Sequence, residues 1–254
     1  MRKLFFATAA LLMASFTVSA QEDSPVSVTA NLQNNHLWRG LTVTDQPVIQ
    51  VLTTFNLDTN KHWTAGLWGS SSLSTSSDGT QYKEINYYVQ YQQKSFSLGL
   101  WDLFNTRGHE DGDFDVWNYD DKNTGHLLDL RAAYTFPESF PLRLEADMLL
   151  YGAGDAEIDA DGDVNQRYST YVELSYPLYR GEMYSIKGFA GSAFNLDGDT
   201  HLYGNGKHKF DVVNLGLTIS RTFTVCGRKF PVYATTLWNP SIKSARMQIG
   251  VTLF

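Results

Sequence analysis

The chain has 254 residues, with 27 acidic against 20 basic side chains and a formal charge of −7. That balance is opposite to the footprint of a nucleic-acid-binding surface, so no nucleic-acid partner is expected. A single cysteine, Cys226, excludes an internal disulfide and reads as a bystander near a turn.

Residues 1–20 have the three parts of a secretory signal. Arg2 and Lys3 open it, Leu4 to Phe16 form the apolar run, and Val18-Ser19-Ala20 supplies the small-residue cleavage site. The run is shorter than the roughly 20 apolar residues a membrane helix needs, so cleavage after Ala20 is expected. Losing Arg2 and Lys3 moves the formal charge from −7 to −9. No later segment is long and apolar enough for a membrane helix. Export then leaves a soluble secreted protein or an outer-membrane barrel. Residues 21–254 contain no Pro/Gly/Ser-rich linker and read as one domain.

Strand candidates follow at 26–38, 47–57, 62–72, 81–92, 95–104, 126–136, 142–151, 168–176, 184–194, 210–221, 230–238 and 245–254. The clearest is LRLEADMLL. It sets Leu142, Leu144, Ala146, Met148 and Leu150 against Arg143, Glu145 and Asp147. The strand before it sets Leu128, Leu130, Ala132, Tyr134 and Phe136 against Asp129, Arg131 and Thr135. Successive side chains of a strand point to opposite faces, so each segment has one apolar and one polar face. Most candidates reach the roughly 9–11 residues of a membrane strand, beyond the 5–6 typical of soluble sheets. Their connections alternate between short (58–61, 93–94, 137–141, 177–183, 222–229) and mostly longer (39–46, 73–80, 105–125, 152–167, 195–209, 239–244). Outer-membrane barrels sort short turns and long loops in this way. The expected fold is an all-β, antiparallel, up-and-down transmembrane barrel of twelve strands, apolar outside and polar inside. Ten strands is the alternative, if the third or eleventh is mispaired. The third, ninth and eleventh candidates are rich in small residues, which would let the wall curve or leave lumen space.

Trp38, Phe55, Trp63, Tyr91, Phe96, Phe104, Tyr134, Phe136, Tyr176, Tyr184, Phe194 and Trp238 lie near strand ends, where an interfacial aromatic belt would place them. The chain closes on QIGVTLF. A terminal aromatic on a closing strand is similar to the carboxy-terminal signal of outer-membrane proteins, which would make Phe254 the contact with the barrel assembly machinery. The apolar set Met247, Ile249, Val251 and Leu253 is out of phase with Phe254, a departure from that signal.

The first strand and loop carry HLWRGLTVTDQPVIQ. Trp38, Arg39, Gly40, Thr44, Asp45 and Pro47 resemble the opening of the TorF-type porins, a family of small outer-membrane proteins. The likeness is best in the first loop and looser over the mature chain, and the acidic loop at 105–125 is longer than the family pattern. The resemblance implies a porin-like role.

Interior candidates are Glu84, Asn86, Gln90, Asp129, Arg131, Arg143, Glu145, Asp147, Tyr171, Glu173 and Lys187. Opposite charges among them on adjacent strands are expected to pair across the ladder. They would line a charge-sorting constriction or form a plug, since twelve strands lie between filled eight-stranded and open sixteen-stranded barrels. In the first loop, Arg39 and Asp45 are expected to form an ion-pair staple with Trp38 and Gly40. Loops 105–125 and 152–167 carry acidic runs, and Glu157 to Gly162 is similar to half of an EF-hand loop. Tyr168 replaces the closing Glu, so a solvated acidic loop is the default over calcium.

The six histidines lie near loops or strand ends, with no His-x-Ser pair or nucleophile elbow. His126 and Asp129 fall on opposite faces. The expected function is passive diffusion of small hydrophilic solutes across the outer membrane, with a mild cation preference and no cofactor. A closed barrel acting through its loops, or a lipid- or ligand-modifying enzyme, are the alternatives.

Overall fold

The computed structural model describes residues 24–106 and 115–254. The expected signal peptide lies outside them, as do His109, Glu110, Asp111 and Asp113. Twelve strands close a single antiparallel barrel: β1 (Val26–Gln33), β4 (Val48–Asn56), β5 (Trp63–Ser72), β6 (Lys83–Gln93), β7 (Phe96–Asn105), β8 (His126–Thr135), β9 (Arg143–Tyr151), β12 (Thr170–Arg180), β13 (Ser185–Phe194), β14 (Phe210–Val225), β15 (Arg228–Asn239) and β16 (Ser244–Thr252). Two small hairpins lie off the wall: β2 (His36–Trp38) with β3 (Leu41–Thr44), and β10 (Ala156–Ile158) with β11 (Val164–Gln166). The ten-strand alternative falls.

Alternation orients the wall. Leu67, Ile85, Leu98, Leu144, Leu174, Leu217 and Ile249 are exposed on the outward phase. Phe55, Trp63, Phe96, Tyr134, Phe136, Tyr184 and Trp238 are also exposed near strand ends. This outer surface is apolar where a water-soluble barrel would be polar, and it makes the barrel transmembrane. Two aromatics of the expected belt depart from it. Trp38 folds into the lumen against Tyr203, and Phe104 is buried beside His126.

Small inward residues do not leave the lumen empty. A Cβ on Gly66, Gly191, Gly216 or Gly250 would overlap the ring of Tyr88, Tyr171, Phe189 or Tyr233, respectively. Each ring packs against the glycine of a neighbouring strand, the arrangement in which an aromatic covers a strand glycine. Gly250→Val should therefore overpack this contact and cost about 1–3 kcal/mol. Denaturant unfolding in detergent checks this, and adding Tyr233→Ala should relieve much of the loss.

The closing seam is the thinnest part of the ladder. β1 pairs with β4 at eight positions but with β16 at three, Asn31↔Thr252, Leu32↔Val251 and Gln33↔Gly250. Backbone bonds from Ala30 to Phe254, Leu253 to Ala30 and Asn34 to Ile249 (3.0, 2.8 and 3.1 Å) extend the seam, and side chains reinforce it. Asn35 donates to the Met247 carbonyl (2.9 Å), Asn34 accepts from the Ile249 amide (2.6 Å), Thr252 donates to Asn31 (2.8 Å), and Gln33 donates to Tyr233.

Three expected boundaries move. The first strand ends at Gln33, and residues 36–44 turn inward as a separate hairpin. The expected loop at 222–229 is instead an extension of β14 and β15, closed by Cys226-Gly227 with φ of 51° and 78°. Positive φ at both central residues is the primed two-residue hairpin turn. The eighth candidate runs on to Arg180.

Candidate functional site

The hairpin 36–44 is held inside the barrel by its tip. Gly40 has φ of 87°, and a Cβ there would overlap the Val213 carbonyl, so only glycine lets the tip lie against the β14 backbone. Asn239 donates to the Gly40 carbonyl at 3.2 Å. Beside it, Arg39 reaches the opposite wall. Its Nη1 and Nη2 donate to the two carboxylate oxygens of Asp129 at 3.2 and 2.7 Å. Nη2 also lies 2.8 Å from an Asp147 oxygen, and Nη1 donates to the Tyr203 hydroxyl at 2.8 Å. The bidentate fork is the strong form of such a pair.

The rings of Trp38, Tyr171 and Tyr203 surround the guanidinium at 4.9, 5.7 and 5.8 Å. Leu149, Tyr171, Ala193, Tyr203 and Val213 form a buried apolar cluster around it, with Trp38, Leu41, Leu127 and Leu202 packed on its edge. Both aspartates are fully removed from solvent. The Arg39–Asp45 staple is therefore a correction. Asp45 is exposed and accepts from Gln46 (2.9 Å), while Arg39 is neutralised by carboxylates from the wall. A buried guanidinium needs partners that are themselves out of water, and an exposed loop carboxylate is not one.

All eleven interior candidates lie on the inward phase. Their pairing differs from expectation, because the contacts run along strands rather than across them. Arg131 Nε donates to Asp129 (2.7 Å), Arg143 to Glu145 (2.5 Å), Tyr171 to Glu173 (2.5 Å) and Asn86 to Glu84 (2.7 Å). Residues two apart share a face, and long side chains close the gap between them. Gln90 donates to Gln92 (3.4 Å), and Lys187 has no ion pair among the described residues.

Among the described residues, two cavities lie on either side of Leu37 and Gln248. The larger, about 300 Å³, is bordered by Trp38, Trp68, Trp101, Glu84, Asn86 and Arg131 among others. The smaller, about 190 Å³, meets Arg39, Glu173, Lys187, Asn214 and Thr235. The hairpin therefore narrows the lumen and divides it.

Sequence reasoning missed two clusters. Asp102 and His126 both fall on the outward phase, set by Leu100 in β7 and Leu130 in β8. They are covered by residues 115–125 draped over the outside of the wall. His126 Nδ1 is 2.7 Å from Asp102, and Nε2 is 2.9 Å from the Val116 carbonyl. Tyr119 stacks on the imidazole (4.0 Å, 19°) and donates to Asp102 at 2.7 Å, and Tyr151 donates to the Tyr119 carbonyl. Burial pushes the Tyr119 phenol above its ordinary range, helped by Tyr87 and Asp102. The second cluster is His201 in the loop carrying Tyr203, 3.2 Å from Asp211. Burial lowers the His201 imidazole below its usual range, against the pull of Asp211. The outward phase of Asp102 against Leu98 and Leu100 was a usable signal. The partners of His126 come from a long loop, which leaves no local pattern.

The acidic loops carry no group of three or more potential metal ligands among the described residues. Asp159 instead accepts from the amides of Asp161 and Asp163 (both 2.9 Å), and Glu157 from Arg167 (3.0 Å).

No family model and no curated protein matches the chain. Among solved structures, the chain is similar to the translocator domain of the autotransporter NalP from Neisseria meningitidis. That match has 14% identity and a TM-score of 0.42, over 98% of this chain and 96% of that one. It is also similar to a chain from a study titled "Asymmetric conductivity of engineered proteins", with 12% identity and a TM-score of 0.38. It covers 81% of this chain, which spans about half (54%) of that one. Both likenesses are in barrel shape alone.

Proposed function

We propose that the protein is an outer-membrane barrel through which small hydrophilic solutes diffuse, with the in-folded hairpin 36–44 as its constriction. The observation that carries this reading is the cavity of about 300 Å³, bordered by Glu84, Asn86 and Arg131, left beside that hairpin inside an outwardly apolar wall. A hydrated polar route replaces the cost of taking a polar solute through hydrocarbon. The TorF-type resemblance in residues 38–47 agrees with a porin role. In this reading the long loops face the cell exterior and the short turns the periplasm.

A mild cation preference follows from the lumen charges. Glu84, Asp129, Glu145, Asp147 and Glu173 face Arg39, Arg131, Arg143 and Lys187, a small acidic excess on the inward face. The acidic loops add to it at the mouth, more strongly at low salt. No catalysis is assigned. In the His126–Asp102 pair the second ring nitrogen is taken by the Val116 carbonyl, so no free base faces a substrate.

The test is single-channel recording of the mature chain in a planar bilayer under a salt gradient. Small discrete steps with a cation-biased reversal potential are expected, and Glu145→Gln should reduce the bias. A folded, inserted barrel that stays silent would overturn the conduit and leave a closed barrel pinned by Arg39.

A further inference from the structure

We propose that the larger lumenal cavity is a binding site for a small zwitterion with an apolar substituent, its carboxylate on Arg131 and its ammonium on Glu84. This assigns a solute class to the channel described above and rests on that reading.

Arg131 is held as a donor waiting for an acceptor. Its Nε is committed to Asp129 at 2.7 Å, and its guanidinium carbon sits 4.2 Å over the Trp101 ring, which fixes the plane. The ring of Tyr88 backs Trp101 at 4.1 Å. Both terminal nitrogens of Arg131 have no acceptor among the described residues. A fixed guanidinium edge matches the two oxygens of a carboxylate.

Glu84 is the opposite case. It accepts from Asn86 (2.7 Å), Tyr82 (2.8 Å) and Asn105 (3.1 Å), all neutral, and it pairs with no cation among the described residues. A buried carboxylate held only by neutral donors keeps its attraction for a positive charge. Arg131 and Glu84 border one cavity yet lie beyond ion-pair distance of each other. A solute carrying both charges can meet each with its opposite, whereas a singly charged solute leaves one unanswered. Leu37, Leu103 and Trp68 supply the apolar wall. A volume of about 300 Å³ is at the small end of ligand pockets.

Calorimetry on the detergent-folded barrel tests this, with L-leucine as probe and 4-methylpentanoate and isopentylamine as its single-charge counterparts. Folding is verified by heat-modifiable gel mobility. Leucine should bind at least tenfold tighter than either counterpart. Arg131→Gln should bring leucine down to the level of the amine, and Glu84→Gln to the level of the acid. The three-ligand comparison on the unmodified protein needs no variant. Leucine binding no tighter than its counterparts, or giving no heat, overturns the site. A barrel that binds leucine but passes no current keeps the site and loses the conduit. One that conducts but ignores leucine does the reverse.

Discussion

Arg39→Met should destabilise the barrel by about 3–5 kcal/mol and raise its conductance. The stability loss is that expected when one partner of a buried charge pair is removed. Among the described residues Arg39 is the only cation within ion-pair distance of Asp147, neither of whose oxygens has a hydrogen-bond partner, and both wall aspartates are out of solvent. Without the guanidinium, two carboxylates on adjacent strands repel at short range with no water to screen them. The cheapest relief is for the hairpin 36–44 to leave and water to enter, which widens the lumen. Adding Asp147→Asn to Arg39→Met removes the uncompensated charge, leaves Asp129 paired with Arg131, and should recover most of the stability while leaving the larger conductance. Denaturant unfolding and single-channel recording on the same preparations separate the two effects. Unchanged conductance in Arg39→Met would show that the charges do not hold the hairpin.

The second large effect is expected outside the barrel. His126→Phe keeps a ring for Tyr119 to stack on but removes two contacts, the one to the Val116 carbonyl that ties 115–125 to the wall and the one to Asp102 within the wall that seats Tyr119's acceptor. One of these joins a carboxylate, and hydrogen bonds to charged groups contribute about 1.5–3 kcal/mol. Asp102 is then left buried on the outward face with Tyr119 as its one side-chain donor among the described residues, a poor position beside hydrocarbon. Local opening governs proteolysis when reclosing is fast, so cleavage within 115–125 should accelerate by tenfold or more. Adding Asp102→Asn should recover part of the protection. Equal cleavage rates in the variant and the parent would show that the loop is held by other contacts.

The wall was legible because alternation is a local property. Leu144 outward and Glu145 inward can be read without knowing any partner, and the same rule placed Arg131 and Glu173. The hairpin was not legible for the same reason. His-Leu-Trp after Leu32 continues to look like strand, and the break is signalled only by Asn34-Asn35 and by Gly40. The partners of Arg39 lie in β8 and β9, and nothing near residue 39 names them. Asp45 was the nearest carboxylate in sequence, which is a poor guide to the nearest one in a closed barrel. The long loops hid the His126 contacts likewise, since a long connection does not fix which residues meet.

The stitched seam between β1 and β16 bears on how the wall comes together. Its contacts join the first and last strands of the barrel, so they close the longest loop among the strand pairs, and the entropy lost in closing a loop grows with its length. They are also the fewest. A junction with the highest entropic cost and the shortest ladder forms last and opens first. Asn31, Gln33, Asn34 and Asn35 then act as a clasp that can be fastened after the rest of the cylinder is already curved.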